Sequence, residues 1–410
     1  MQPPGGLAIV MVAVILIATG AVHAQQREKQ PQPVTTAPTN EPAPKNLWFV
    51  RAGYAPVYVE ASSHFVAGDN VARTMTVEIG RQTDGTRDWH RVYNYPSYGV
   101  GFYAGRFDHK EELGHPYAAY GFFSWPFPVS NRVQVTSDFG LGVSWNWNEF
   151  DPRANPTNTA LGSDVAYHVD WGLYLRYVTT ARANVYAGLN FNHWSNGATK
   201  QPNLGLASIG PKVAVRYNFA PQVTPPRARP EDLPRFDPSW EFLIGGAGSP
   251  KETTAATNAN IDVVDRRRDG GAFNVTTGIQ RHFYRFGKAA AGADVAYDSS
   301  TGARVDIVGG QRVESRAPIE GRFSLGVYGG YEHVFARFSI LVHYGDTVWR
   351  GYEDPDVSRF YQRYGTRFYL SDRFWTTFAV RTVKLRKANF MEVGLGYRFR
   401  FTPERPAGTL

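Results

Sequence analysis

From Arg132 to Asn148 the chain alternates in period two. Val133, Val135, Phe139, Leu141, Val143, Trp145 and Trp147 share one parity, while Arg132, Gln134, Thr136, Asp138, Ser144, Asn146 and Asn148 share the other. Such alternation marks a strand with one apolar face. Its length is the constraint, because ordinary strands run to roughly five or six residues. The pattern recurs in "DVAYHVDWGLYLRY", where Val165, Tyr167, Val169, Trp171, Leu173, Leu175 and Tyr177 oppose His168, Asp170 and Arg176. It recurs again in "PKVAVRYNF" and in "FMEVGLGYRFRF".

These runs reach the roughly 10 residues that a tilted strand needs to cross a bilayer. Their apolar rows are rich in Tyr, Trp and Phe, and their polar rows carry Arg, Asp and Gly. A soluble sandwich buries its apolar faces in a thin core and manages with short strands. The inverse arrangement, apolar outside and polar inside, is what a barrel in lipid requires, because only closure satisfies every backbone group there. The fold class read from the sequence is therefore all-β, a transmembrane antiparallel β-barrel, with a large soluble barrel as the competing reading. The 41 glycines, 23 tyrosines and 26 phenylalanines fit strands and turns. With no cysteine, a disulfide framework and a thiolate metal site are both excluded.

At the N-terminus the apolar run "LAIVMVAVILIATGAV" is followed by small residues at Val22 and Ala24, which reads as a signal peptide over residues 1–24. Residues 25–46, rich in Pro, Gln and Thr, read as a disordered linker. Candidate strands then fill 47–219 and 239–401. Between them the proline-rich segment 220–238 cannot continue a ladder, and residues 402–410 form a tail. About eight strands in the first stretch and six to eight in the second give about 14 to 16 in all. The expectation is one large barrel with the proline-rich segment as a long turn, in preference to two smaller barrels in succession.

The chemistry concentrates in "NFNHWSNGATKQPN", residues 190–203. Parity along this strand places Val185, Ala187, Leu189 and Phe191 outward, and continuing it puts His193 and Ser195 on the same lipid-facing row. Parity alone is compatible with a polar strand end at the membrane border. If the chain enters from the periplasm, however, odd-numbered strands run outward and this pair sits at the extracellular rim. Residues i and i+2 of a strand lie about 7 Å apart, and a histidine is the commonest base for a serine nucleophile.

The segment "HWSNGATKQPNLG" resembles the active-site stretch of the lipid A 3-O-deacylases, or acyloxyacyl hydrolases, in His193, Trp194, Ser195, Asn196, Pro202, Asn203 and Gly205. "SYGVGFY", "GHPYAAYGFFSWPF", "NPTNTALGS", "YQRYGTRFYL" and "VKLRKANFMEVGLGYRF" also resemble this family. The resemblance implies an outer-membrane barrel whose eight strands over 47–219 match the deacylase part. It implies an esterase that removes an ester-linked acyl chain from lipid A or a related glycolipid, with lipopolysaccharide as its setting. Ser195 would then be the nucleophile, His193 the general base, and Asn196 and Asn203 supports of the oxyanion, with no cofactor and no metal. The family also carries a glutamate twelve residues after the serine to orient the histidine. Here that position is Ala207, on the outward row beside His193. Asp164, expected at the outer end of the sixth strand, is a substitute whose parity points inward.

Other motifs carry less. "DRRRDG", 265–270, is expected in a long extracellular loop, either as a grip for lipid phosphates or as a solvated charged loop. "GGAGSP" lacks the lysine and helix of a phosphate loop and reads as strand and turn. The net charge of +8 suits an anionic lipid without selecting one. Nothing points to nucleic acid. The functional alternative to the esterase is a catalytically weakened or inactive barrel acting as a channel or structural outer-membrane protein.

Overall fold

A computed structural model describes residues 46–61, 71–222, 231, 233–257, 266–353, 357–385 and 387–401. The signal peptide and the tail lie outside the described residues, as does all of the linker except Asn46.

The chain forms two closed antiparallel barrels of eight strands each. The N-terminal barrel comprises β1 (Trp48–Ala61), β2 (Val71–Gln82), β3 (Ser97–Phe107), β4 (Gly114–Pro128), β5 (Val133–Trp147), β6 (Ala166–Val178), β7 (Ala183–Ser195) and β8 (Leu206–Asn218). The C-terminal barrel comprises β9 (Ser239–Thr254), β11 (Arg267–Tyr284), β12 (Gly287–Asp298), β15 (Phe323–Phe335), β16 (Phe338–Arg350), β17 (Phe360–Tyr369), β18 (Phe374–Val383) and β19 (Lys387–Phe401). Three short strands, β10 (Ala256–Thr257), β13 (Arg304–Val308) and β14 (Gln311–Ser315), make a small sheet above the second barrel. No helix of the described residues is long and apolar enough to cross a membrane.

The expectation of a single large barrel is corrected by closure within each half. β1 pairs with β8, from Phe49 opposite Asn218 to Tyr54 opposite Val213 and again beyond Tyr58, and β9 pairs with β19 from Phe401 opposite Trp240 to Val393 opposite Gly248. The inward rows explain the choice. Eight strands leave an interior just wide enough for side chains to fill, and each half carries its own charge-matched filling. In the first, Arg51 bridges Glu78 and Asp138, at 2.6 Å from the latter. In the second, Lys288 lies 3.0 Å from Glu241, Arg367 lies 2.6 Å from Glu332, and Arg381 lies 2.7 Å from Asp294. A sixteen-stranded barrel would hold these partners apart across water.

The outward rows are apolar as expected, with Met75, Val77, Ile79, Leu189, Val213 and Leu395 exposed. One strand departs from strict alternation. Asn146 takes a positive φ of 67°, so the parity of β5 slips and Trp147 turns inward. There it packs at 5.5 Å from Phe107 and 5.4 Å from Trp194, closing the lumen with aromatic rings. "GGAGSP" lies wholly within β9, with no turn. Of "DRRRDG", Asp265 lies outside the described residues, and Arg267 to Gly270 open β11 instead of forming a loop. A ladder to Thr254–Lys251 of β9 holds them there.

The barrels stand side by side. Near the connector Tyr93 and Trp125 of the first meet Phe286 and Phe335 of the second, at ring separations of 5.1 to 5.8 Å. Farther along, Phe139 faces Phe338 at 5.9 Å and Tyr167 faces Phe378 at 4.7 Å. Aromatic pairs at these distances add to the burial they bring.

Candidate functional site

β7 is fixed from the inside. Its inward residues Asn190 and Asn192 are buried and linked, with Asn190 Nδ2 donating to Asp170 Oδ2 at 2.9 Å and Asn192 Oδ1 lying 3.0 Å from His168 Nε2. Asn192 Nδ2 donates in turn to Asn190 Oδ1 at 3.1 Å. Trp194, fully buried, stacks on His168 at 5.4 Å. A strand pinned in this way presents its outer row at a defined position and angle. That row carries His193 and Ser195, both half-buried. In the ladder Ser195 lies opposite Tyr167, and His193 lies between Val169 of β6 and Ala207 of β8.

Past Ser195 the chain turns sharply. Gly197 and Ala198 both take left-handed φ, 66° and 69°, and Gly205 takes 76° where the loop rejoins β8. The Asn196 side chain shapes the turn: its Oδ1 accepts the Ala198 N–H at 3.1 Å and its Nδ2 donates to Ser163 Oγ at 3.0 Å. The turn brings Asn203 back onto the serine. Asn203 Nδ2 donates to Ser195 Oγ at 3.0 Å, the Ser195 hydroxyl faces Asn203 Oδ1 at 3.3 Å, and the Gly197 N–H reaches Ser195 Oγ at 3.1 Å. Asn203 Oδ1 also accepts the Asn196 N–H at 3.0 Å. Two N–H donors therefore converge on the hydroxyl oxygen and lie beside the position where an oxygen bound next to it would gain negative charge.

Of the four sequence-predicted residues, Ser195 and Asn203 are in direct contact, and Asn196 joins them through its backbone while its side chain is spent on the turn. His193 shares their face without a hydrogen bond to Ser195. Its Nδ1 is buried and has no hydrogen-bond partner among the described residues. Gly205 leaves room for the ring, since a Cβ there would sit 3.1 Å from His193 Cε1. Ala207, opposite His193, offers no acceptor. Asp164 is exposed in the loop before β6 and is not part of the strand, which corrects its expected place at the strand end. In the neighbouring loop, amide hydrogen bonds from Ala154 and Arg153 hold the Asp151 carboxyl below its usual range. Arg267 and Arg268 pair with Glu252 and Glu314, so their charge is already answered within the chain.

Sequence reasoning missed the Gly197 amide, although an Asn-Gly pair directly after the serine signals a turn whose N–H groups point inward. It also missed the second barrel's share. Met391 of β19 fills the space over Gly197, where a Cβ would fall 2.1 Å from its Sδ.

Residues 73–218 match the family described as lipid A 3-O-deacylase (PagL), and residues 239–401 match the acyloxyacyl hydrolase C-terminal domain. Among solved structures the chain is similar to the outer membrane enzyme PagL, at 14% identity over 42% of this chain and 99% of that one, with a TM-score of 0.30. It is similar to Neisserial surface protein A at 14% identity, 42% and 97% coverage and a TM-score of 0.29. A mutant porin of Rhodopseudomonas blastica follows at 12% identity, 86% and 99% coverage and a TM-score of 0.18. No curated protein matches the chain.

Proposed function

The chain belongs to the lipid A 3-O-deacylase and acyloxyacyl hydrolase family, and from that premise we propose that it hydrolyses an ester-linked acyl chain of lipid A or a related glycolipid at Ser195. The setting is the bacterial outer membrane, where an outward-facing serine at the rim of a barrel meets acyl chains directly. The observation that carries the reading is the convergence of Asn203 Nδ2 and the Gly197 N–H on Ser195 Oγ.

In this mechanism Ser195 Oγ attacks the ester carbonyl and gives its proton to His193. The carbonyl oxygen, now negative, accepts hydrogen bonds from the Gly197 amide and the Asn203 side chain. Collapse expels the sugar alkoxide, which takes the proton from His193 and leaves the acyl group on Ser195. A water molecule then attacks the acyl-enzyme with His193 as base, releasing the fatty acid and restoring the serine. The two side chains start about 7 Å apart along the strand and come within reach of one another by rotation of their side chains. Without an acid at position 207 the histidine is poorly held, so turnover is slow.

The packed, ion-paired interiors of both barrels argue against the channel alternative, because inward charges that pair with one another line no open path. The test is mass spectrometry of lipid A from cells expressing the wild type or Ser195→Ala. Loss of one acyl chain with the wild type alone supports the reading. Identical lipid A in both rejects it for this substrate.

A further inference from the structure

On a single barrel, an outward-facing serine and histidine would stand on an open wall in lipid. Here the wall has a neighbour. Along the outward rows near the site, Phe191 and Val169 are only 7% and 9% exposed, whereas Ile209, on the next strand round, is 50% exposed. Cover by the second barrel therefore ends between β7 and β8. On the opposing side Tyr364 of β17 is 1% exposed, although it shares the outward row of its strand, and Val393 of β19 is 48% exposed. Phe191, Tyr364, Val342 and Val380 belong to one apolar cluster that also takes in Ala207.

The order of contacts fixes how the two walls run. β6 meets β18 through Tyr167 and Phe378, and the loop after β7 meets β19 through Gly197 and Met391. The same loop meets β9 and β11: the Glu252 N–H of β9 donates to Ala198 O at 3.1 Å, the Gln201 N–H donates to Glu252 Oε2 at 2.6 Å, and Arg267 Nη1 of β11 donates to Gln201 O at 3.2 Å. β8 and β19 are therefore the flanks of a wedge. Both descend from the site toward the connector end, with Ala207 and Ile209 on one flank and Val393 and Leu395 on the other. Its floor is Phe191 and Tyr364, and its top is the loop that holds Ser195. The opening faces lipid.

We propose that this wedge between the barrels is the acyl-chain groove, so that β19 of the C-terminal barrel sets which chain lengths reach Ser195. The inference rests on the esterase reading and adds the second barrel to it. An acyl tail whose carbonyl lies at Ser195 runs down the wedge past Val393 and then Leu395. Successive outward residues on a strand are ~7 Å apart, about five methylenes of an extended tail. A bulky residue at Val393 therefore cuts off chains about five carbons shorter than the same residue at Leu395 does.

The experiment measures kcat/KM of the purified full-length protein on a series of acyl esters from butanoyl to palmitoyl. The proteins are the wild type, Val393→Trp, Leu395→Trp and Val295→Trp. Val295 is an exposed valine on β12, on the far side of the second barrel. All three sites are exposed, so each variant keeps the closed barrel, checked by its heat-dependent gel mobility. The expected result is a drop of about tenfold or more in the rate for long relative to short chains in Val393→Trp. Leu395→Trp shows the same drop starting at longer chains, and Val295→Trp follows the wild type. An unchanged chain-length profile in both β19 variants, or an equal change in all three, overturns the proposal while leaving the esterase intact. Absence of hydrolysis in the wild type overturns both.

Discussion

Replacing Ala207 by glutamate tests whether the site lacks only one part. His193 and Ala207 are directly opposite in the β7–β8 ladder, which places their Cβ atoms about 5 Å apart. From there a glutamate carboxylate reaches the buried His193 Nδ1, which has no partner among the described residues. A hydrogen bond to a charged group contributes ~1.5–3 kcal/mol. Spent on holding the imidazole and stabilising its protonated form, that is a gain of about 10- to 150-fold in kcat/KM. Loss of the orienting acid in a serine hydrolase costs roughly 10⁴, and the gain falls short of this because part of the carboxylate's contribution goes to its own desolvation. Ala207 packs against the apolar cluster of Phe191 and Tyr364, so a carboxylate there loses some of its water. Ala207→Gln keeps the shape without the charge and should gain little. The assay is ester hydrolysis by Ala207→Glu, Ala207→Gln and wild type over a pH series, with barrel closure checked on gels. If glutamate and glutamine variants behave alike while both are folded, the reasoning fails, because the histidine then does not lack a charge partner.

Three further outcomes follow from the same geometry. Asn203→Ala removes one of two N–H donors at Ser195 Oγ and should lower kcat by about 10²–10³ with little change in KM, read from steady-state hydrolysis. Glu332→Gln strips Arg367 of its carboxylate partner inside the second barrel, while Lys288 keeps Glu241. Leaving the Arg367 charge uncompensated should destabilise that barrel by ~3–5 kcal/mol, seen as a lower urea midpoint. Trp194→Ala empties the aromatic plug beneath the site and should cost ~3–5 kcal/mol in the first barrel, measured by the same unfolding curve.

The wall of the fold was legible because lipid imposes strict alternation, and the inward and outward rows of β6 and β7 are as the parity of their residues dictates. The number of barrels was not. Closure depends on which strands share a ladder, and the partner of β1 is written in neither β1 nor β8 alone. Trp147 was misplaced because a single residue, Asn146, adopts a positive φ that period two does not anticipate. At the site, the shared face of His193 and Ser195 could be read from spacing, and Asn203 from the family resemblance. The role of Gly197 lies in a backbone N–H that has no side chain to announce it. Glu252 and Met391 come from the other barrel, and their place beside the serine depends on how two closed walls pack.

The two ladders share no strand, so in thermodynamic terms the chain is a dimer whose halves happen to be tethered. The segment between Asn218 and Ser239 tethers the second barrel to the first, which keeps their facing walls at a high effective concentration. An interface too weak to assemble from separate proteins is then occupied nearly all the time. The contact around Glu252 and Gln201 therefore needs to contribute only orientation, because proximity is supplied by the peptide chain.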